Sequence, residues 1–215
     1  MKKRLISLLL AVGMMLSLFP VSAFAEGAAE PITKEVSTAD EFKSAVAAIN
    51  EAGSGSFVIS LKDDISLPDG EDITLSKNTT TLLGNGKTLS GGKTQTLGVA
   101  GSAVLNLGQS GGTDVLTLDG NNNDGIAAVR VSGSATLNLY DGVTIENYTN
   151  SGIQNMGASF HMYGGSIQNC SGGAGGGVYI VDAKFMMSGG TISSCEASIM
   201  GGGVASIAYS VGSTM

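Results

Sequence analysis

The chain contains little of several residue types on which common protein activities depend. Among its 215 residues there is no Trp, one His, two Cys and three Pro, and only 13% of the residues are charged. No cluster of basic residues occurs past residue 4, although nucleic-acid binding requires a cationic face for the phosphates. With 18 acidic and 11 basic residues the formal charge is −7. We therefore expect no nucleic-acid partner.

Glycine and apolar residues are abundant instead. The 33 glycines show no three-residue period, which excludes a collagen helix, and a hydrophobic fraction of 42% is too high for a disordered chain. No apolar run after residue 25 reaches 18 residues, so we expect no membrane span beyond that point.

The first 25 residues have the layout of a secretory signal peptide. Three cations at 2–4 precede an apolar run at 5–19, and the small-residue sequence AFA at 23–25 completes a cleavage site. We expect cleavage after Ala25 and a secreted or cell-surface location, with an uncleaved N-terminal anchor as the alternative. Without this segment the chain has eight basic and 18 acidic residues, a formal charge of −10.

A linker and then one helix are predicted to follow. Residues 26–36 are polar and unpatterned, which suits a linker, and 37–55 are predicted to form an N-terminal capping helix. The sequence from Thr38 to Glu41 matches the capping box, and Gly53 is expected to end the helix. The apolar stripe of this helix consists of Phe42, Ala45, Val46 and Ile49.

From Ser56 onward the apolar period changes to two, which predicts β-strands. The predicted strands are short and β-branched, and Gly, Asn, Asp and Ser separate them. They lie at 57–61, 73–75, 104–107, 115–118 and 129–131. Short strands at close, regular spacing indicate an all-β fold.

Three segments repeat one sequence pattern: 134–148, 158–170 and 183–195. The corresponding positions are Leu137, Phe160 and Phe185; Leu139, Met162 and Met187; and Ile145, Ile167 and Ile192. The motif GGGV also recurs, at 175–178 and 201–204, and 102–108 is a fainter copy of 134–140. A unit of 22–26 residues with two or three tiny strands cannot bury its own apolar side chains, so it must stack on its neighbours.

These repeats predict an all-β parallel β-helix of five to six rungs over 56–215, with like residues in columns and the helix covering the first rung. A β-sandwich is the alternative, but it would not produce columns at a fixed offset. No polar capping repeat precedes Met215. We therefore expect a fragment or truncated relative of a longer protein, with its C-terminal cap missing, that self-associates end to end.

The chain resembles bacterial extracellular right-handed β-helix proteins of the pectin-lyase-like superfamily, and most closely their adhesin-like surface members. The residues that carry the resemblance are the FxMxGGxI core at 185–192 and the GGGV turn at 201–204. The resemblance covers 56–207 and implies a right-handed parallel β-helix. It implies no single activity, because the superfamily holds polysaccharide lyases, glycoside hydrolases and many proteins of no known activity.

The residue types argue against catalysis. Past the signal segment the chain has one Arg, Arg130, and one His, His161, whereas the superfamily's enzymes combine acidic clusters with basic partners. A hydrolase also needs two carboxylates roughly 5–10 Å apart on opposite sides of the bond. The alternative that stays open is a catalytic group in which Asp119, Asp124 and Asp141 meet across rungs. Solvated turns are the favoured interpretation of these acids.

The segment DGNNNDG at 119–125 carries oxygen-bearing side chains that suit a Ca²⁺ site. Its candidate ligands are Asp119, Asn121, Asn123 and Asp124. The helix-loop-helix calcium pattern needs Gly at its sixth position and Glu at its twelfth, where this chain has Asp124 and Arg130. We expect an Asx-rich turn and no cofactor, with a non-standard Ca²⁺ site left open.

Two more pairs of residues occupy corresponding repeat positions. Cys170 and Cys195 would lie one rung apart, close enough for a disulfide in an exported protein. The preferred interpretation is that both cysteines are buried free thiols. Tyr140 and Tyr163, with His161 nearby, would form a small outward platform for sugar rings. Packing of these tyrosines against a turn is the alternative, and the preferred one.

The sequence therefore favours a secreted or wall-associated module that binds or presents rather than catalyses. Its expected partner is an extracellular carbohydrate or a host or bacterial surface protein. The alternatives are a polysaccharide lyase or glycoside hydrolase, and a structural spacer of a larger surface protein.

Overall fold

The computed structural model describes residues 30–68, 71–92, 94–123 and 125–209, so the predicted signal peptide and Asp124 lie outside the described residues. One helix, α1, spans Ala39–Glu51. The strands are β1 (Ile32–Val36), β2 (Ser56–Leu61), β3 (Ile65–Leu67), β4 (Thr74–Leu75), β5 (Thr79–Leu83), β6 (Lys87–Gly91), β7 (Gln95–Val99), β8 (Val104–Leu107), β9 (Leu116–Asp119), β10 (Ala127–Ser132), β11 (Thr136–Leu139), β12 (Val143–Glu146), β13 (Ile153–Met156), β14 (Ser159–Met162), β15 (Ser166–Gln168), β16 (Ser171–Ala174), β17 (Val178–Val181), β18 (Lys184–Met187), β19 (Thr191–Ser193), β20 (Glu196–Met200) and β21 (Val204–Ile207). Within the described ranges no helix is long and apolar enough to cross a membrane.

Each strand pairs in parallel with its equivalent one turn earlier or later. The first sheet has the order β1-β2-β5-β8-β11-β14-β18, the second β3-β6-β9-β12-β15-β19, and the third β4-β7-β10-β13-β17-β21, while β16 pairs with β20. The chain therefore passes through all three sheets once per turn, which is the parallel β-helix that the sequence predicts.

The number of turns, about seven, exceeds the predicted five to six. One reason is β1, which lies inside the predicted linker 26–36 and pairs with β2. The other reason is the turn formed by β5, β6 and β7, because the sequence analysis predicts none of these three strands. The segments TTTLL and KTLSG carry threonine, lysine and glycine where later turns carry larger apolar residues. Pairing to strands on both sides stabilises such segments in spite of their weak pattern.

The strand register confirms the columns predicted from the repeats. Leu137 is opposite Phe160, and Phe160 is opposite Phe185. The two phenylalanine rings stack with centroids 5.1 Å apart and planes inclined by 19°. Leu137 and Phe160 are fully buried. Fully burying a side chain of this size stabilises the fold by about 1.5–3 kcal/mol, so each turn contributes a layer of the core.

Glycine pairs allow the chain to turn sharply after strands of the first sheet. Gly190 has a φ of 83°, a conformation that side chains disfavour. A Cβ at Gly189 would collide with the carbonyl oxygen of Tyr163 in the preceding turn. The pair is therefore required both for backbone conformation and for the close approach of adjacent turns.

Helix α1 covers the first turn with the predicted apolar stripe. All four stripe residues are buried, and the helix packs against β1, β2, β3 and β4. Thr38 caps it by accepting a hydrogen bond from the Glu41 backbone N–H (3.2 Å), and Glu41 accepts one from the Ser37 N–H (2.7 Å). Gly53 directly follows the C-cap of the helix, as expected, but it is not among the glycines with positive φ. The helix ends at Glu51, and Ala52 leaves it in an extended conformation with φ −58° and ψ 156°.

Candidate functional site

Two tyrosines form a stack on the outer face of the first sheet. Tyr140 follows β11 and Tyr163 follows β14, and the register of these strands places the two residues one above the other. Their ring centroids are 5.2 Å apart and their planes differ by only 10°. The separation is close to the spacing of paired strands, about 4.8 Å, because successive turns set it. We call Tyr140 and Tyr163 the tyrosine stack.

The positions on either side of the tyrosine stack carry no ring. Continuing the strand register places Gly108 next to Tyr140 and Ser188 next to Tyr163. Tyr163 is 48% exposed, whereas Tyr140 is partly buried. Burial, and to a smaller extent the neighbouring Tyr163, raises the pKa of Tyr140. The stack is therefore two rings long, with glycine and serine leaving space at its ends.

The imidazole of His161 stands beside the tyrosine stack. Its centroid is 6.0 Å from that of Tyr163, with the planes inclined by 68° in an edge arrangement. Nδ1 of His161 lies 3.3 Å from Oδ1 of Asn138. The structure thus brings together the three residues that the sequence proposes as a binding surface.

Sequence reasoning missed a row of polar side chains that ends at His161. Asn138 Nδ2 donates to Asn106 Oδ1 (2.8 Å), and Asn106 Nδ2 donates to Thr81 Oγ1 (3.2 Å). We call Thr81, Asn106, Asn138 and His161 the polar ladder. The repeated LNL sequences at 105–107 and 137–139 carry a signal for it, because both asparagines align with His161.

A partly exposed aromatic stack beside amide, hydroxyl and imidazole groups suits recognition of a ring that has an apolar face and polar edges. Aromatic rings pack against apolar faces, and the adjacent polar groups form hydrogen bonds that fix orientation. The surface lies on the outer face of the first sheet. It can therefore hold a ligand along the outside of the β-helix.

Three of the residues proposed for Ca²⁺, Asp119, Asn121 and Asn123, are described by the structure and lie in a hydrogen-bonded turn. Asp119 Oδ1 accepts from the Asn121 backbone N–H (2.8 Å) and from Asn147 Nδ2 (3.0 Å). Asn121 has a φ of 51°, and Asn123 N–H donates to the Gly120 carbonyl (2.9 Å). In the part of the chain that the structure describes, no three His, Cys, Asp or Glu side chains are grouped to hold a metal ion. This geometry is that of an Asx turn.

Two of the acidic residues considered for catalysis, Asp119 and Asp141, lie in different parts of the fold. Asp119 ends β9 in the second sheet, opposite Glu146, whose Oε2 accepts from Gln168 Nε2 (2.8 Å). Asp141 lies in the connection between β11 and β12, and its carboxylate fills the space next to Gly164. Strand register therefore pairs Asp119 with Glu146 and does not bring Asp141 to them.

The two cysteines occupy equivalent positions in adjacent turns, and both are free thiols. The Glu196 backbone N–H donates to the Cys170 carbonyl (2.9 Å), which holds the two turns together at this point. Cys170 is buried and Cys195 is partly exposed. Burial raises the pKa of the Cys170 thiol to about 12.

Comparisons with protein-family models, with curated proteins and with solved structures found no match to this chain. The class that the structure itself defines is a parallel β-helix. Its function can be inferred only from the chemistry of its surface, since a fold of this kind carries no single activity.

Proposed function

We propose that this chain is a secreted or cell-surface β-helix module that binds carbohydrate through the tyrosine stack without catalysing a reaction. The observation that carries the proposal is the stacked pair Tyr140 and Tyr163, of which Tyr163 is exposed, with His161 at its side. The signal-peptide layout of the first 25 residues supports an extracellular location. The resemblance to adhesin-like, right-handed β-helix proteins of the pectin-lyase-like superfamily is consistent with this role.

A sugar fits the tyrosine stack better than a protein surface does. Protein-binding patches are usually contiguous apolar areas of several hundred Å². Here the apolar part is the two rings and the side chain of Met186, which lies opposite His161, and the other neighbouring outward positions on the same sheet are the polar residues Asn138, His161 and Ser188. A pyranose ring offers an apolar face to one tyrosine and hydroxyl groups to the polar side chains around it.

The placement of Asp141 supports binding rather than cleavage. Glycoside hydrolysis uses two carboxylates on opposite sides of the bond. Continuing the strand register, the positions equivalent to Asp141 in the adjacent turns are Gln109 and Gly164. Neither residue supplies a facing carboxylate, so Asp141 has no partner of this kind in its own row.

The proposal is tested with the chain from residue 26, titrated with a panel of soluble plant and host glycans. We expect measurable binding to at least one glycan and no release of reducing-end or unsaturated products. Tyr163→Ala and Tyr140→Ala should each weaken binding about tenfold, since a stacked aromatic contact contributes about 0.5–1.5 kcal/mol beyond its buried area.

Tyr209→Ala is the matched control, because Tyr209 is also exposed (66%) but follows β21 in the third sheet. This control should bind like the unchanged chain. Absence of binding to every glycan, or equal affinity in Tyr163→Ala and the control, contradicts the proposal. Release of product would favour the lyase or hydrolase alternative instead.

A further inference from the structure

The polar ladder connects four successive turns of the first sheet through side chains alone. Strand register places Thr81 opposite Asn106, Asn106 opposite Asn138, and Asn138 opposite His161. Each neighbouring pair is in hydrogen-bond contact, at 3.2, 2.8 and 3.3 Å respectively. The ladder therefore joins the imidazole beside the tyrosine stack to a side chain three turns away.

The ladder has a direction, and this direction decides where the imidazole proton lies. Asn106 and Asn138 each donate through Nδ2 toward Thr81, so the amide oxygen of Asn138 faces His161. An amide oxygen accepts hydrogen bonds and cannot donate them, so a hydrogen bond across this 3.3 Å contact requires a proton on Nδ1 of His161. The tautomer of a neutral histidine is set in this way by the hydrogen bond of one ring nitrogen.

We infer that the polar ladder holds His161 as the Nδ1–H tautomer, which leaves Nε2 as a hydrogen-bond acceptor for a hydroxyl of a neutral sugar at the tyrosine stack. Within the described residues Nε2 has no hydrogen-bond partner and is not among the buried unpaired atoms. The part of this inference that concerns the ligand rests on the proposed function. Asn138 is in this arrangement a positioning residue.

Neutral sugars are favoured over uronic acids by the charges of this surface. An unprotonated Nε2 offers no proton to a carboxylate, and Asp141 follows Tyr140 directly along the chain. The chain from residue 26 also carries a formal charge of −10, which repels a polyanion at low salt. A sugar hydroxyl, in contrast, can donate to Nε2 while its ring packs on Tyr163.

The tautomer can be measured without any ligand. Because His161 is the single histidine of the chain, a long-range proton–nitrogen correlation spectrum contains the signals of one imidazole. At a pH where the ring is neutral, we expect the pattern of an Nδ1–H imidazole. In Asn138→Ala the Nε2–H form should become the major one, as in free histidine, and Asn106→Ala should shift the ratio in the same direction.

Asn150→Ala is the control for these two variants, because Asn150 donates to the Gly125 carbonyl (3.2 Å) outside the ladder. Its imidazole pattern should equal that of the unchanged chain. An Nε2–H pattern in the unchanged chain overturns the inference. An Nδ1–H pattern that persists in Asn138→Ala overturns it as well, since the ladder would then not set the tautomer.

Binding tests the second half of the inference. The probes are a neutral oligosaccharide that binds the unchanged chain and its uronic acid counterpart of the same linkage. We expect the neutral sugar to bind more tightly, and His161→Ala and Asn138→Ala to weaken its binding by about two- to tenfold, the loss of one hydrogen bond. If both variants bind the neutral sugar as tightly as the unchanged chain does, or if the uronic acid binds more tightly, the assignment of Nε2 as the sugar acceptor is overturned.

The failure of the proposed function gives a different result. If no glycan binds, the carbohydrate role and the acceptor assignment both fall, whereas the tautomer measured in the free protein still decides whether the ladder acts on His161. If glycans bind through the tyrosine stack while the tautomer is Nε2–H, the proposed function stands and the inference on the ladder is wrong.

Discussion

Replacing Phe160 by alanine is expected to lower the free energy of unfolding by about 3–5 kcal/mol. Phe160 is fully buried, and its ring lies between Leu137 of the preceding turn and the ring of Phe185 in the following turn. The substitution removes the whole buried ring and leaves a cavity that adjacent turns cannot fill, because strand pairing fixes their spacing. Large-to-small changes of this kind cost about 3–5 kcal/mol.

Phe185→Ala is the matched comparison, since it removes the same ring from the next position of the same column. Phe185 is only partly buried. We expect its replacement to cost about half as much, about 1.5–2.5 kcal/mol, because less apolar surface is removed from the core.

Urea denaturation followed by circular dichroism measures both values, from the midpoint and the slope of each transition. We expect a larger loss for Phe160→Ala than for Phe185→Ala at unchanged slope. A loss below about 1 kcal/mol for Phe160→Ala, or a larger loss for Phe185→Ala, would refute the stacked columns as the source of stability.

Three more predictions concern a buried thiol, the helix cap and the last described turn. Because burial raises the pKa of Cys170 to about 12, the unfolded chain releases its thiol proton first as the pH rises past about 9. The urea midpoint should therefore fall between pH 9 and 10, and it should fall less in Cys170→Ala. An equal fall of the midpoint with pH in Cys170→Ala and Cys195→Ala would contradict this cause. Thr38→Ala should cost about 1 kcal/mol in thermal unfolding through loss of the helix cap, and an unchanged midpoint would show that the cap contributes nothing. The chain from residue 26 should self-associate at high concentration, since Met186 (65%) and Ile199 (76%) are exposed in the last described turn. Sedimentation should show less association in Ile199→Lys, and a monomer at all concentrations would contradict the prediction.

The sequence predicts the columns of the core well because the repeats encode them directly. Phe160 and Phe185 are recognisable as equivalent residues from the repeated pattern alone, and strand register confirms the pairing. The stripe of helix α1 is predicted for a similar reason, since its apolar period of 3.6 differs from the period of two that follows it.

The early turns are harder to predict because they depend on their neighbours. Strand β5 has the sequence TTTLL, which has little apolar alternation, yet it pairs with β2 on one side and β8 on the other. Strand β1 lies in a segment with no repeat partner in the sequence. Both strands owe their conformation to pairing with other turns, and no local pattern records that interaction.

The candidate site is predictable in its aromatic part and not in its polar part. Equivalent repeat positions identify Tyr140 and Tyr163, but the direction of the amide groups of Asn106 and Asn138 arises only when the turns are stacked. Hydrogen-bond direction along a ladder is a property of the assembled surface. The role of His161 therefore depends on residues that are 23 and 55 positions away in the chain.

The most direct test of carbohydrate binding at the tyrosine stack uses the five tyrosines of the chain as internal probes. With ring-labelled tyrosine, the signals are followed by NMR while the best-binding neutral oligosaccharide is added. We predict that the signals of Tyr140 and Tyr163 shift together and saturate, while those of Tyr148, Tyr179 and Tyr209 stay in place. Saturable shifts confined to the latter three, or no shift of the stacked pair when binding is saturated, would contradict carbohydrate binding at this site.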